Sequence, residues 1–190
     1  MISFDSNSIQ ILKSGGIGVI PTDTVYGLVG SADNKETVER IYKVRERNVK
    51  KPCIILISSI QDLEIFGIEI NNREKAVIES KTLWPGKVSI VFKCCDPRFE
   101  HLTRGTGSLA FRVPDVVELR NLIQEVGPIV APSANMEGEP TSKTIEEARK
   151  AFGDTVDFYV DGGEQNGSPS TLVRFEDDSL VVIRQGAVII

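Results

Sequence analysis

A chain of 190 residues, 41% hydrophobic and 26% charged, has the composition of an ordinary folded domain and can bury about 70% of its unfolded surface. Its net charge of −5 gives no overall basic footprint for nucleic acid. No apolar run approaches the roughly 20 residues that cross a bilayer, and residues 1–5 lack the basic and apolar regions of a signal peptide. One cytoplasmic domain over 1–190, away from the membrane, is the expectation.

In chain order, residues 8–14 read as a short helix closed by Gly15-Gly16, and 17–21 as a strand. The spacing of Val38, Ile41, Tyr42 and Val44 predicts an amphipathic helix over 34–44. The apolar run 53–58 reads as a buried strand. Residues 72–83 read as a helix stopped by Trp84-Pro85-Gly86. Strands follow at 88–94 and 108–113, then a helix over 115–126 ended by Gly127-Pro128. A brief strand at 129–131 leads into Pro132-Ser133-Ala134-Asn135. Thr144-Ile145-Glu146-Glu147 is a capping-box signature for a helix to Phe152. Strands at 158–160, 171–175 and 180–184 close the chain. Strands and helices interleave without strict repetition, which predicts an α/β mixed sheet with helices packed on it.

Cys53, Cys94 and Cys95 have neither a disulfide framework nor C-x-x-C spacing. With His101 as the one histidine, no zinc site is expected. A P-loop is excluded, because no G-x-x-x-x-G-K-[ST] occurs. Gly105-Thr106-Gly107-Ser108-Leu109-Ala110 matches G-x-G-x-x-A but enters a strand, the opposite of the dinucleotide context.

The segment Pro21-Thr22-Asp23-Thr24-Val25-Tyr26-Gly27-Leu28 packs hydroxyls, a carboxylate and a phenol into a turn after a strand, the composition of a polar pocket rim. Residues 43–51 carry five Lys/Arg against one Glu. Lys43 and Arg45 suit the C-terminal dipole of the preceding helix. Lys50 and Lys51, held before Pro52 and a buried strand, favour phosphate binding, with arginine forks supplying paired donors. Arg112 shares a strand face with Ser108 and Ala110 and is either a solvated edge residue or a carboxylate clamp. Ser133, Ser170 and Arg184 have the same two readings, local structure or ligand contact.

Taken together and in order, these segments resemble the YrdC/TsaC family of threonylcarbamoyl-AMP synthases, in its short single-domain form. The resemblance rests on 21–28, Arg45-x-Arg47 through Lys51-Pro52, Trp84-Pro85-Gly86, 108–112, 132–135, Ser170-Thr171 and Arg184, and spans nearly the whole chain. It implies a YrdC-like twisted mixed β-sheet with flanking helices around a positively charged cavity. It also implies a nucleotidyltransferase that joins L-threonine, bicarbonate (or CO2) and ATP into threonylcarbamoyl-AMP and pyrophosphate. The product would serve the N6-threonylcarbamoyladenosine (t6A) modification of tRNA, through the proteins of the tRNA threonylcarbamoyl transferase complex.

By position, Thr24, Arg112, Ala131 and Ser170 would form the threonine site, with Arg112 on the carboxylate. Arg47, Lys51, Ser108, Ser133, Thr141 and Arg184 would line the ATP site, with Arg45 close by. Arg45 stands where the family commonly has Lys, and Leu56 where some members carry His. Catalysis would come from positioning by Arg47, Lys51 and Arg112, with no enzyme nucleophile and with Mg²⁺ carried mostly by the triphosphate. Asp23 is a candidate to take the ammonium proton. Two other readings are a tRNA-binding module without adenylation activity and the carbamoyl-adenylate-forming domain of hydrogenase maturation proteins.

Overall fold

Alternation along the strands sorts apolar side chains onto two faces, and each face has its own core. Val19, Leu28, Ile55 and Val130 join one buried cluster, while their neighbours Ile20, Val29, Leu56 and Ile129 join the other. The structure, a computed structural model, describes residues 3–80, 82–177 and 179–190.

The first half of the chain gives α1 (Ser6–Lys13), β1 (Gly18–Ile20), β2 (Gly27–Ser31), α2 (Lys35–Val44), β3 (Ile54–Leu56), a 3-10 helix (Ile60–Phe66) and α3 (Asn72–Ser80). The second gives β4 (Val88–Lys93), α4 (Glu100–Thr103), β5 (Ser108–Arg112), α5 (Val117–Val126), β6 (Ile129–Val130) and α6 (Ile145–Phe152). Strands β7 (Phe158–Tyr159), β8 (Thr171–Glu176) and β9 (Ser179–Arg184) follow. The described strands form one mixed sheet in the order β7-β1-β2-β6-β3-β5-β4-β8-β9. β3 pairs with β5, β4 with β8 and β1 with β7 in parallel, and the other neighbours are antiparallel.

The helices start where side chains satisfy free backbone N–H groups. Asp5 Oδ1 accepts from Ser8 N at 2.7 Å, Asn34 Oδ1 from Thr37 N at 3.0 Å, and Thr144 Oγ1 from Glu147 N at 3.3 Å. Leu12 of α1 and Leu119, Leu122 and Ile123 of α5 cover one face of the sheet. Val38 and Ile41 of α2 with Ile145, Ala148 and Phe152 of α6 pack into the other core. Behind β5, the Phe66 ring lies 4.8 Å from both Phe99 and Phe111, backing the strand that carries Arg112.

One strand is absent from the sequence reading. Residues 27–31 continue into β2, although Gly27 and Gly30 dilute the β signal. Gly30 is needed there because a Cβ would lie 2.4 Å from Thr37 Cγ2 of α2, so close helix packing hides the strand. Of the predicted helix 72–83, Asn72–Ser80 is helical and Thr82 and Leu83 are not, with residue 81 outside the described residues, and Trp84 turns into the core with Nε1 donating to Val88 O at 2.7 Å.

Candidate active site

Between β1 and β2 the chain reverses in a turn closed by its own hydroxyls. Thr22 Oγ1 donates to Val25 O at 2.8 Å, accepts from Thr24 N at 3.2 Å and lies 3.0 Å from Thr24 Oγ1. Such local side-chain bonds replace the ladder bonds that a turn forfeits. The 132–135 segment lies against this turn: Leu28 N donates to Pro132 O at 2.9 Å and Ala134 N to Tyr26 O at 2.8 Å. Two motifs far apart in sequence thus become one rim.

The floor beside this rim is one face of the β5-β4-β8 region. Register sets Ala110 opposite Val91 and Ser108 opposite Lys93. It also sets Val91 opposite Arg174, and Leu172 opposite Arg184 of β9. These side chains and the rim enclose a cavity of about 1230 Å³, larger than the roughly 300–1,000 Å³ of a usual small-molecule site.

Thr24, Arg112, Ala131 and Ser170 all lie in its wall, and so do Arg47, Ser108, Ser133 and Arg184. Among the described residues, five cationic side chains line it against two carboxylates, Glu69 and Glu74. Sequence reading missed Lys93 and Arg174. The signal was available in their two-residue spacing from Val91 and Leu172, which places each on the cavity face.

Arg112 is 4% exposed. Its Nη2 lies 3.1 Å from Asp23 Oδ1 and 3.5 Å from Thr22 Oγ1, and its buried Nε has no hydrogen-bond partner. The Asp23 contact is a charge pair more than an aligned hydrogen bond, since Asp23 Oδ1 also lacks a hydrogen-bond partner. Burial pulls the Arg112 guanidinium below its ordinary value, Asp23 opposes this, and Arg184 adds to it; an arginine stays charged regardless. A buried cation in a cavity wall with an unused donor suits a bidentate anion such as a carboxylate. Asp23 is outside the wall. Its other oxygen accepts from Asp115 N at 3.3 Å, and its carboxylate stands behind Arg112 as the charge partner of that guanidinium.

Arg184 Nη2 donates to Ser170 O at 2.8 Å, and Ser170 Oγ lies 2.8 Å from Ser89 Oγ. Much of the Arg184 side chain is exposed, yet partial desolvation and then the neighbouring Arg47 pull its guanidinium below the ordinary value. Both arginines line the cavity.

Arg45, Lys51 and Thr141 are outside the cavity wall. Arg45 is buried and works behind it. Its Nε donates to Asn135 O at 2.8 Å and its Nη2 to Asn135 Oδ1 at 3.0 Å and Ser133 Oγ at 3.4 Å. The fork therefore shapes the 133–135 turn, a task that a lysine ammonium performs less well. Lys51 is exposed and pairs with Glu137 at 2.9 Å. Thr141 is half-buried where the 132–142 segment rejoins Ala134 through Ser142 N.

The 161–169 loop closes the rim beside Thr24 and Tyr26. The buried Tyr26 phenol donates to Gly163 O at 2.8 Å and accepts from Gly162 N at 2.9 Å. Gly167 lies so close to Thr24 that a Cβ would be 2.0 Å from the Thr24 carbonyl oxygen.

Among the described residues, no group of three or more His, Cys, Asp or Glu is placed to hold a metal, and no helix is long and apolar enough to cross a membrane. His101 Nε2 lies 3.0 Å from Ala32 O, a tie between α4 and β2's end.

This fold and cavity define an α/β domain with a cavity lined by arginine and lysine side chains on one face of a mixed sheet. The chain belongs to the Sua5/YciO/YrdC family, whose profile, described as telomere recombination, matches residues 10–186. The threonylcarbamoyl-AMP synthase of Bacillus subtilis (strain 168) is 34% identical over 186 residues, covering 96% of this chain and 53% of the relative. That of Pseudoalteromonas translucida (strain TAC 125) is 32% identical over 171 residues, covering 87% of this chain and 89% of the relative. The crystal structure of P. abyssi Sua5 complexed with L-threonine superposes with a TM-score of 0.85 at 30% identity, over 97% of this chain and 55% of that one. The chain therefore spans about half the length of the B. subtilis and P. abyssi proteins.

Proposed function

We propose that this chain is a threonylcarbamoyl-AMP synthase, an ATP-dependent nucleotidyltransferase that makes the adenylate used for t6A modification of tRNA. The observation that carries this reading is the single cavity that gathers Thr24, Arg112, Ala131 and Ser170 beside Arg47, Ser108, Ser133 and Arg184. Its volume accommodates two ligands side by side. The names of the relatives point the same way, and neither the tRNA-binding module nor the hydrogenase maturation domain is favoured.

In this proposal Arg112 holds the threonine carboxylate, and Thr22, Thr24 and Ser170 in the cavity wall surround the rest of the amino acid, with Ser89 holding the Ser170 hydroxyl from behind. The threonine amine adds to CO2, losing a proton, to give a carbamate. A carbamate oxygen then forms a bond to the α-phosphorus of ATP as the bond to pyrophosphate breaks. Arg47 and Arg184 take up the charge that moves onto pyrophosphate, with Ser133 on the same rim. The acceleration comes from juxtaposition and from cations fixed before the reaction. Mg²⁺ enters as part of the nucleotide substrate. The product passes to the tRNA-modifying proteins.

The test is pyrophosphate release from MgATP with threonine and bicarbonate omitted singly and together. Release that requires both supports the proposal. Release without them, or none in the full mixture, removes it.

The loop over Thr24 gives a second expectation. Gly167→Ala forces a methyl group into the Thr24 carbonyl and lifts the 161–169 loop. The KM for threonine is expected to rise about tenfold or more while that for ATP stays near wild type; steady-state kinetics with each substrate varied reads the split.

A further inference from the structure

Arg47 is fixed by the backbone of its own loop. Its Nε donates to Lys51 O at 3.1 Å and its Nη2 to Pro52 O at 3.0 Å, which turns Nη1 toward Glu137. Glu137 Oε2 lies 3.6 Å from that nitrogen, and Glu137 Oε1 accepts from Lys51 Nζ at 2.9 Å. A single carboxylate thus places one oxygen near Arg47, in the cavity wall, and the other on Lys51, the exposed cation beside it that the family resemblance assigns to the nucleotide.

The contact is built from more than two mobile side chains. The Glu137 backbone N donates to Arg45 O at 2.9 Å, in the turn that the Arg45 fork organises. Glu137 and Arg47 keep only 27% and 17% of their side chains exposed. The hydrogen bond from Lys51, then the charges of Arg47, Lys51 and Arg45, hold the Glu137 carboxyl below the usual carboxylate range. It is ionised at neutral pH.

We propose that Glu137 is the internal counter-ion of the nucleotide site, a carboxylate that a triphosphate must replace on Lys51 and Arg47. The inference rests on the nucleotide-site reading above and adds an affinity-setting residue to it. A carboxylate and a polyphosphate on the same two cations repel each other. Glu137 therefore sets how tightly the cationic loop holds phosphate, and keeps that loop paired within an acidic protein. It acts through Lys51 and Arg47, and touches no reacting atom.

Calorimetric titration of inorganic triphosphate, and separately of MgATP, into wild type and Glu137→Gln tests this. Glu137→Gln keeps the side-chain shape and is expected to bind triphosphate about fivefold tighter, the effect of removing one like charge about 4 Å away through water-like dielectric. The gain should shrink at high salt and should be largely lost when Lys51→Ala is added. A structural role for Glu137 predicts the opposite, weaker binding and a lower thermal midpoint in Glu137→Gln. Equal or weaker binding by the variant overturns the proposal. Inorganic triphosphate reports on the cations alone, so a tighter Glu137→Gln in a chain that releases no pyrophosphate separates failure of the synthase reading from failure of this one. Absence of triphosphate binding by both proteins removes the nucleotide site and the proposal with it.

Discussion

Arg112→Lys is expected to reduce threonine-dependent turnover about a hundredfold, with the loss in the KM for threonine and little change in the KM for ATP. Lysine keeps the charge but loses the planar fork. The forfeited charge-assisted bonds are worth about 1.5–3 kcal/mol, and a hundredfold change corresponds to about 2.7 kcal/mol. Arg112→Ala is a poorer probe. It would strand the Asp23 carboxylate, whose side chain is 2% exposed, and leaving a buried charge unpaired costs about 3–5 kcal/mol of stability. Threonine and ATP saturation curves, with a thermal melt beside them, separate the two effects. A lysine variant with normal threonine affinity would remove Arg112 from the carboxylate.

Arg47→Ala gives the mirror image. Its KM for ATP is expected to rise about tenfold to a hundredfold while that for threonine changes little, since charge-assisted bonds to phosphate oxygens are lost. Some of the effect is indirect, because Arg47 also donates to the Lys51 and Pro52 carbonyls and fixes the loop that presents Lys51. Arg47→Lys should recover part of the affinity through charge, though not through those two backbone bonds. An alanine variant with unchanged ATP saturation would contradict the place given to Arg47.

The asymmetry between these two variants is the physical content of the site. Arg112 is buried, paired to a carboxylate behind it, and keeps an unused donor. Arg47 is partly exposed at the rim, tied to backbone carbonyls and an ion pair. One suits a small amino acid that is enclosed; the other suits a nucleotide phosphate chain reaching in from solvent.

Local signals carried most of the fold. Apolar runs located most strands, and the Thr144 cap and the apolar spacing of 34–44 located α6 and α2, because caps and periodicity act within a few residues. β2 escaped because Gly30 answers to α2 packed above it, a contact that the local pattern does not encode. The site divided along the same line. Thr24, Ser133 and Arg184 stood out as polar groups at turns and strand ends. The partners of the site cations did not, because pairing is non-local: Lys51 and Glu137 are 86 positions apart, and Arg112 meets Asp23 only when β5 comes to lie beside the turn between β1 and β2. Arg45 illustrates the limit most clearly. It reads as one more cation in a basic loop, and folding turns its fork inward onto Asn135.

The most direct test supplies ¹³C-bicarbonate, threonine and MgATP to the purified chain and examines the nucleotide products by mass spectrometry. The account predicts an adenylate that carries one threonine and one ¹³C, formed in step with pyrophosphate. An unlabelled threonyl-adenylate, or AMP with no adduct while ATP is consumed, would contradict it.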